Sequence, residues 1–273
     1  KASILTNNLG DIGKLDYSNI PDFDLFNFSF PCQNISIAGK QEGMKKEDGS
    51  ITNSGLYIYG IEVIKHKKPK YIMIENVKNL IGNKFINDFY KIINQIEDLG
   101  YNCYYPTKKD KKGNKKPTCL NAKDFGIPQN RERIFVICIR KDVDTYNFEF
   151  PIGKDYGIRL KDILENEVDE KYYLSEEYLE RFKNSLNNKE LQHKIPKAGA
   201  YEVIGTTVTP EAKGTNSRHW VYSTDKLIST IDATTYKQPK QILDINKLSE
   251  DGKTICEQRS DEGLRFFKDN ICG

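Results

Sequence analysis

Arg133-Ile134-Phe135-Val136-Ile137-Cys138-Ile139 is the stretch on which the reading of the fold turns. β-Branched and aromatic residues fill it without Gly or Pro, so it reads as a buried strand. Upstream lie three more strand candidates. One is the aromatic-rich Asp24-Leu25-Phe26-Asn27-Phe28-Ser29-Phe30, closed by Pro31. The others are Tyr71-Ile72-Met73-Ile74, with Glu75-Asn76 at its C-terminal end, and residues 102–105. Between them the apolar period becomes helical. Leu56, Tyr59, Gly60, Val63 and Ile64 share one helical face, and Lys67-Lys68-Pro69 stops that helix. A second helix is expected from about Asn83 to Leu99, with Phe85, Phe89, Ile92, Ile93 and Ile96 on its apolar face and Gly100 just past its end. Strands alternating with helices imply βαβ units and a largely parallel sheet. Ligands of such sheets bind at the carboxyl ends of the strands, and Cys32 and Glu75 both fall there.

The 273 residues suffice for one large domain or two small ones. The 37% hydrophobic content supports a packed core, and a net charge of +3 means that any affinity for nucleic acid comes from local patches. The densest patch is Lys108, Lys109, Lys111, Lys112, Lys115 and Lys116, which tracks phosphates if it is not simply a solvated loop. No apolar run reaches the roughly 18 residues of a membrane span, and the start shows no charged-then-apolar leader. The six cysteines include no Cys-x-x-Cys pair, which argues against a zinc site or disulfide framework and for a reducing, cytoplasmic setting. The chain opens at Lys1-Ala2-Ser3 without Met and stops at Cys272-Gly273, which reads as a fragment cut at both ends.

After Arg140 the pattern changes. Phe150-Pro151 marks a break, Ser175 caps a helix carrying Tyr178, Leu179 and Phe182, and from Lys194 onward Thr, Ser, Gly and Lys dominate. The expected organisation is residues 1–150 as one domain and 151–273 as a smaller loop- and strand-rich region. Trp220, beside Arg218 and His219, is either a core anchor or a nucleic-acid contact.

Three clusters carry chemistry. Cys32, pinned by Pro31 and followed by the glycine-bearing loop 39–54, is placed to act as a nucleophile, although a free cysteine alone is more often a buried small hydrophobe. Glu75, between Ile74 and Asn76-Val77, is a carboxylate at a buried edge, suited to giving a proton, or else a surface loop residue. Strand alternation points Arg131 and Arg133 to the same face, a geometry for phosphate, carboxylate or an activated thiolate, or else for a strand-edge salt bridge with Glu132 or others.

Together these clusters resemble the cytosine-C5 DNA methyltransferase family, in its bacterial and phage form. Phe30-Pro31-Cys32-Gln33-Asn34-Ile35-Ser36-Ile37-Ala38-Gly39-Lys40-Gln41 is similar to that family's nucleophile motif and catalytic loop. Lys68-Pro69-Lys70 followed by Glu75-Asn76-Val77 is similar to its glutamate motif, and residues 121–133 to its double-arginine motif. Gly10-Asp11-Ile12 resembles the acidic turn that reads the cofactor's adenine. Leu160 to Leu164, then Val221-Tyr222-Ser223-Thr224 with Ser229-Thr230-Ile231, resemble the join to the target-recognition region and an element inside it.

The resemblance implies an α/β fold: a Rossmann-like S-adenosylmethionine-dependent methyltransferase sheet with a smaller target-recognition region, each partial here. Cys32 attacks C6 of a flipped-out cytosine, Glu75 contacts N3 and the exocyclic amine, and Arg131 and Arg133 stabilise the thiolate, the cytosine O2 and the DNA backbone. C5 then takes the methyl group of S-adenosyl-L-methionine, and loss of its proton expels Cys32. Asp11, Pro31 and Leu56 are the implied cofactor contacts, and Gln33, Ser36 and Lys40 the implied DNA contacts. The implied protein is a monomer with no bound metal, acting away from membranes on double-stranded DNA, with a restriction endonuclease as a candidate partner.

The departures are the lack of a Phe-x-Gly-x-Gly turn, of an acid for the ribose, and of the late motifs. A tRNA cytosine methyltransferase is the first alternative, disfavoured by the lack of Cys-Phe-Thr and by the long 151–273 region. A catalytically incomplete DNA-binding fragment is the second. A nucleotide-synthesising enzyme with a Pro-Cys nucleophile is the third, and it lacks the glutamate and arginine context.

Overall fold

The computed structural model describes residues 9–36, 42–46, 48–165, 174–197, 199–209, 211–212, 217, 219–231, 240–248, 253–258 and 265–270, the last of these groups as backbone strands. The chain divides into two compact units. Lys1–Leu120 with Glu132–Ile152 form the first, and Asn121–Arg131 with Gly153–Gly273 the second.

The first unit is α/β. Its sheet holds β1 (Leu25–Phe28), β2 (Tyr71–Val77), β3 (Tyr101–Tyr104) and β4 (Glu132–Arg140) in the spatial order β1-β2-β4-β3. β1 and β2 pair in parallel, whereas β4 lies antiparallel to both of its neighbours. The largely parallel sheet expected from the sequence is therefore corrected to a mixed one. The reason is the connection between β3 and β4. A parallel neighbour needs a crossover of a dozen or more residues, usually a helix. Residues 105–131 carry instead a short hairpin (Thr107–Lys109 with Lys115–Pro117) and tight turns.

Two helices cover one face of this sheet. Helix α1 (Tyr57–Lys67) sets Gly60 against the ring of Phe28, where a Cβ would lie 2.6 Å from the nearest ring carbon, so only glycine permits this approach. Helix α2 (Ile86–Asp98) buries Phe89, Ile92, Ile93 and Ile96, a stripe of helical spacing, beside Ile74, Ile134 and Val136. It starts three residues later than expected because the N–H groups of Phe85 and Ile86 both bond the Gly82 carbonyl in a turn. Along β2 and β4 the buried face carries Ile72, Ile74 and Asn76, and Ile134, Val136 and Cys138. The half-buried face carries Met73, Glu75 and Val77, and Arg133 and Phe135.

The second unit has its own sheet: β5 (Val203–Thr206), β6 (Trp220–Ser223), β7 (Gln241–Leu248), β8 (Lys253–Gln258) and β9 (Arg265–Asn270), in the order β9-β8-β7-β6-β5. Helix α3 (Glu176–Asn187) buries Leu179 and Phe182, with Gly205 admitting the Phe182 ring where a Cβ would lie 2.5 Å from it. Trp220 is half-buried with Tyr201 and Tyr222, ring centroids 6.4 and 6.3 Å away, which favours the core-anchor reading; Arg218 lies outside the described residues. Among the described residues no helix is long and apolar enough to cross a membrane.

Candidate active site

Glu75 lies within β2, two residues before its end, rather than just after it. In the antiparallel register Val77 faces Arg133 and Glu75 faces Phe135, so Arg133 is the diagonal neighbour of Glu75 on one face. That spacing is within reach of a long side chain. Arg133 Nε bonds Glu75 Oε1 at 2.9 Å, with both side chains largely shielded. The Ser29 hydroxyl donates to the Glu75 carbonyl at 2.8 Å and reaches Oε2 at 3.2 Å. Both carboxylate oxygens are thereby held.

The segment that leads to Cys32 is tied to the same strand. Asn76 is buried on the opposite face from Glu75, and its side-chain amide donates to the Phe30 carbonyl at 3.1 Å while its Oδ1 accepts from Val77 N at 2.8 Å. Two residues beyond Phe30, Cys32 opens a tight turn whose carbonyl accepts from Ile35 N and Ser36 N. The turn is anchored from outside. Asn79 donates to the Ile35 carbonyl, Ser54 Oγ accepts from Asn34 N at 3.1 Å, and Asn53 donates to Gln33 Oε1 at 2.7 Å. Cys32 is half-buried against the core. Burial pushes the Cys119 thiol up to about 11 and the Cys138 thiol well above the ordinary range, so both stay protonated near neutral pH.

Arg131 differs from the expectation. The strand begins at Glu132, so no continuous strand alternation links Arg131 to Arg133. The Arg131 N–H bonds Asn121 Oδ1 at 3.0 Å, and its guanidinium donates to the Ile231 carbonyl at 3.1 Å. Beside it, Thr230 donates to the Asn130 carbonyl, and Ile228-Ser229 pair with Gln129-Asn130. Arg131 thus belongs to the second unit and Arg133 to the first. The structure brings together Glu75, Arg133 and the segment bearing Cys32.

The remaining candidates are exposed or half-buried. Asp11 caps a turn by accepting from Gly13 N at 2.9 Å, leaving Oδ2 without a bond among the described residues. Gly13 lies against the Tyr59 ring of α1, one turn along from Leu56. Pro31 and Gln33 are exposed and Ser36 half-buried, while Lys40 lies outside the described residues. A cavity of about 750 Å³ between residues 42–58 and α2 holds none of these side chains; burial there raises the Asp88 carboxyl.

Ser29 and Asn76 are positioning residues that the sequence did not assign a task. Their one signal was polarity at the ends of apolar strands.

The family of C-5 cytosine-specific DNA methylases matches over residues 1–265. The type II methyltransferase M2.ScrFI of Lactococcus lactis subsp. cremoris is 44% identical over 173 residues, covering 63% of this chain and 44% of its own. M.SsoII of Shigella sonnei is 32% identical over 84% of this chain and 62% of its own, and M.HhaI of Haemophilus parahaemolyticus 30% identical over 82% and 60%. The chain spans between 44% and 62% of the length of these relatives.

Proposed function

Because the chain belongs to the family of C-5 cytosine-specific DNA methylases, we propose that it transfers a methyl group to C5 of cytosine in double-stranded DNA, with Cys32 as nucleophile. The observation that carries this reading is the stitching of the Cys32 segment to β2, through Ser29 on Glu75 and Asn76 on Phe30. It fixes a thiol-bearing turn relative to a carboxylate already paired with a guanidinium.

In the proposed reaction Cys32 Sγ forms a bond to C6, and the displaced electron pair moves onto the ring. Glu75 takes up that change by a proton or hydrogen bond at N3. Arg133 keeps the Glu75 carboxylate oriented, and Arg131 is assigned to cytosine O2 or the DNA backbone. S-adenosylmethionine supplies the methyl group when bound. Asp11, Pro31 and Leu56 are the residues that would hold its adenine, Asp11 as hydrogen-bond acceptor. Departure of the C5 proton then returns the electron pair that breaks the C6–sulfur bond. A stacked base presents neither face to a thiol, so the base is extruded first, with Gln33, Ser36 and Lys40 toward the DNA.

Residues 1–150 are assigned the chemistry and 151–273 target recognition. The chain is read further as a cytoplasmic monomer, and the type II names of the relatives are the ground for adding a cognate endonuclease as partner.

The test is covalent trapping. The chain is incubated with S-adenosylmethionine and a duplex in which every cytosine is 5-fluorocytosine, which removes the need to know the target. Fluorine cannot leave C5 as a proton, so elimination stalls. A denaturation-resistant adduct is expected for the unaltered chain and for Cys103→Ala, and none for Cys32→Ala. An adduct that survives Cys32→Ala sinks the assignment.

A further inference from the structure

The lysine run of the first unit is an ordered two-stranded ribbon. Thr107–Lys109 pairs with Lys115–Pro117, so Lys108 faces Lys116 and Lys109 faces Lys115 across the strands. Strand alternation sends one lysine pair to each face of the ribbon. Lys111 and Lys112 sit at the tip, where Asp110 Oδ1 accepts from Lys112 N and Asn114 N. All six lysines are exposed, and among the described residues only Lys116 meets an acid, Asp110 Oδ2 at 3.4 Å. With six lysines against one aspartate, the hairpin is net +5 in a chain of net +3, so the rest of the chain is net negative.

Like charges directly opposite one another weaken a strand pair. A solvated connection needs neither the strands nor the opposed lysines. We propose that this hairpin is a phosphate-binding ribbon that enters a groove of duplex DNA beside the target. A ribbon basic on both faces fits between two walls of phosphate, and the major groove, about 12 Å wide, admits a two-stranded ribbon. Its side chains are lysines, which neutralise phosphates as point charges. It carries no arginine or glutamine, and the amide of its one asparagine, Asn114, is turned onto Asp110 Oδ2 at 3.5 Å, so its contribution is independent of sequence. The inference rests on DNA being the substrate and adds a contact surface built from residues other than the candidate catalytic ones.

The experiment is a salt titration of binding to a duplex of arbitrary sequence, followed by fluorescence anisotropy. The variant replaces Lys108, Lys109, Lys115 and Lys116 by Gln, and its companion replaces the same four by Arg. Each neutralised phosphate contributes roughly 0.9 to the slope of log affinity against log salt. The slope is expected to fall by about 2–4 in the Gln variant, equally on unrelated sequences, and to be kept by the Arg variant. Circular dichroism confirms that both fold. An unchanged slope in the folded Gln variant overturns the inference while leaving the proposed reaction intact. A hairpin-dependent slope in a chain that forms no fluorocytosine adduct supports the ribbon and removes the reaction. Absence of DNA binding by the unaltered chain at low salt overturns both.

Discussion

At the scale of single residues, Glu75 is held twice, by Arg133 on one oxygen and Ser29 on the other. Glu75→Gln keeps the shape and a hydrogen-bonding side chain but gives up no proton. General acid catalysis is worth about 10²–10⁴-fold, so methylation is expected to slow by that range while DNA affinity changes little. A loss of only a few-fold in single-turnover rate assigns Glu75 a structural task. Cys32, Glu75 and Arg133 were legible in the sequence because each stands beside an apolar run. Ser29 and Asn76 were not, because their partners lie 46 residues away and such contacts leave no local signature. Arg131 was misread because its alternation with Arg133 assumed a continuous strand. Its amide turns instead to the Asn121 side chain, which no periodicity announces.

At the scale of elements, α1 rests on β1 through Gly60. Alanine in a helix interior gains up to about 1 kcal/mol over glycine. At Gly60 the added Cβ would lie 2.6 Å from Phe28, whose ring is stacked on Phe26 at 4.9 Å and has little room to swing. Overpacking of this kind costs about 1–3 kcal/mol, so the clash prevails and Gly60→Ala is expected to lower the urea midpoint. Strand β3 is tied to the segment after β4 by Asp144, which accepts from Tyr104 and Asn102, each at 2.7 Å, and from Tyr146 N at 2.8 Å. Burial pushes its carboxyl up, but the three hydrogen bonds outweigh burial and leave it below the ordinary range. A depressed carboxylate contributes stability that is complete above its unfolded value, about 3.9, and is lost as pH falls through the folded value. The difference in Tm between the unaltered chain and Asp144→Asn is therefore expected to be full above about pH 5 and to shrink below pH 4. A gap independent of pH would remove the carboxylate's role. The elements themselves were readable from their periods; the sense of β4 was not, because direction follows from the connection and not from strand composition.

At the scale of the molecule, charge is distributed unevenly. Substituting four hairpin lysines by Gln takes the formal net charge from +3 to −1. The variant is expected to lose retention on a cation exchanger at pH 7 and to melt no lower than the unaltered chain, since two opposed like-charge pairs are gone. A lower melting temperature would mean that the lysine stems pack in a way that their exposure does not indicate.

The diagonal ion pair between β2 and β4 also bears on how the sheet finds its alignment. If the two strands slip by two residues, every side chain keeps its own face, and Ile72, Ile74, Ile134 and Val136 still meet apolar neighbours. Hydrophobic collapse alone is a weak judge of that error. A slip that pairs Glu75 with Ile137 carries Arg133 about 7 Å along the strand, away from Glu75, and leaves a shielded carboxylate without its cation, whereas the opposite slip sets Arg133 directly across from Glu75. The pair thus also proofreads the assembly of the protein, penalising one of the two such misalignments of the sheet before any substrate arrives.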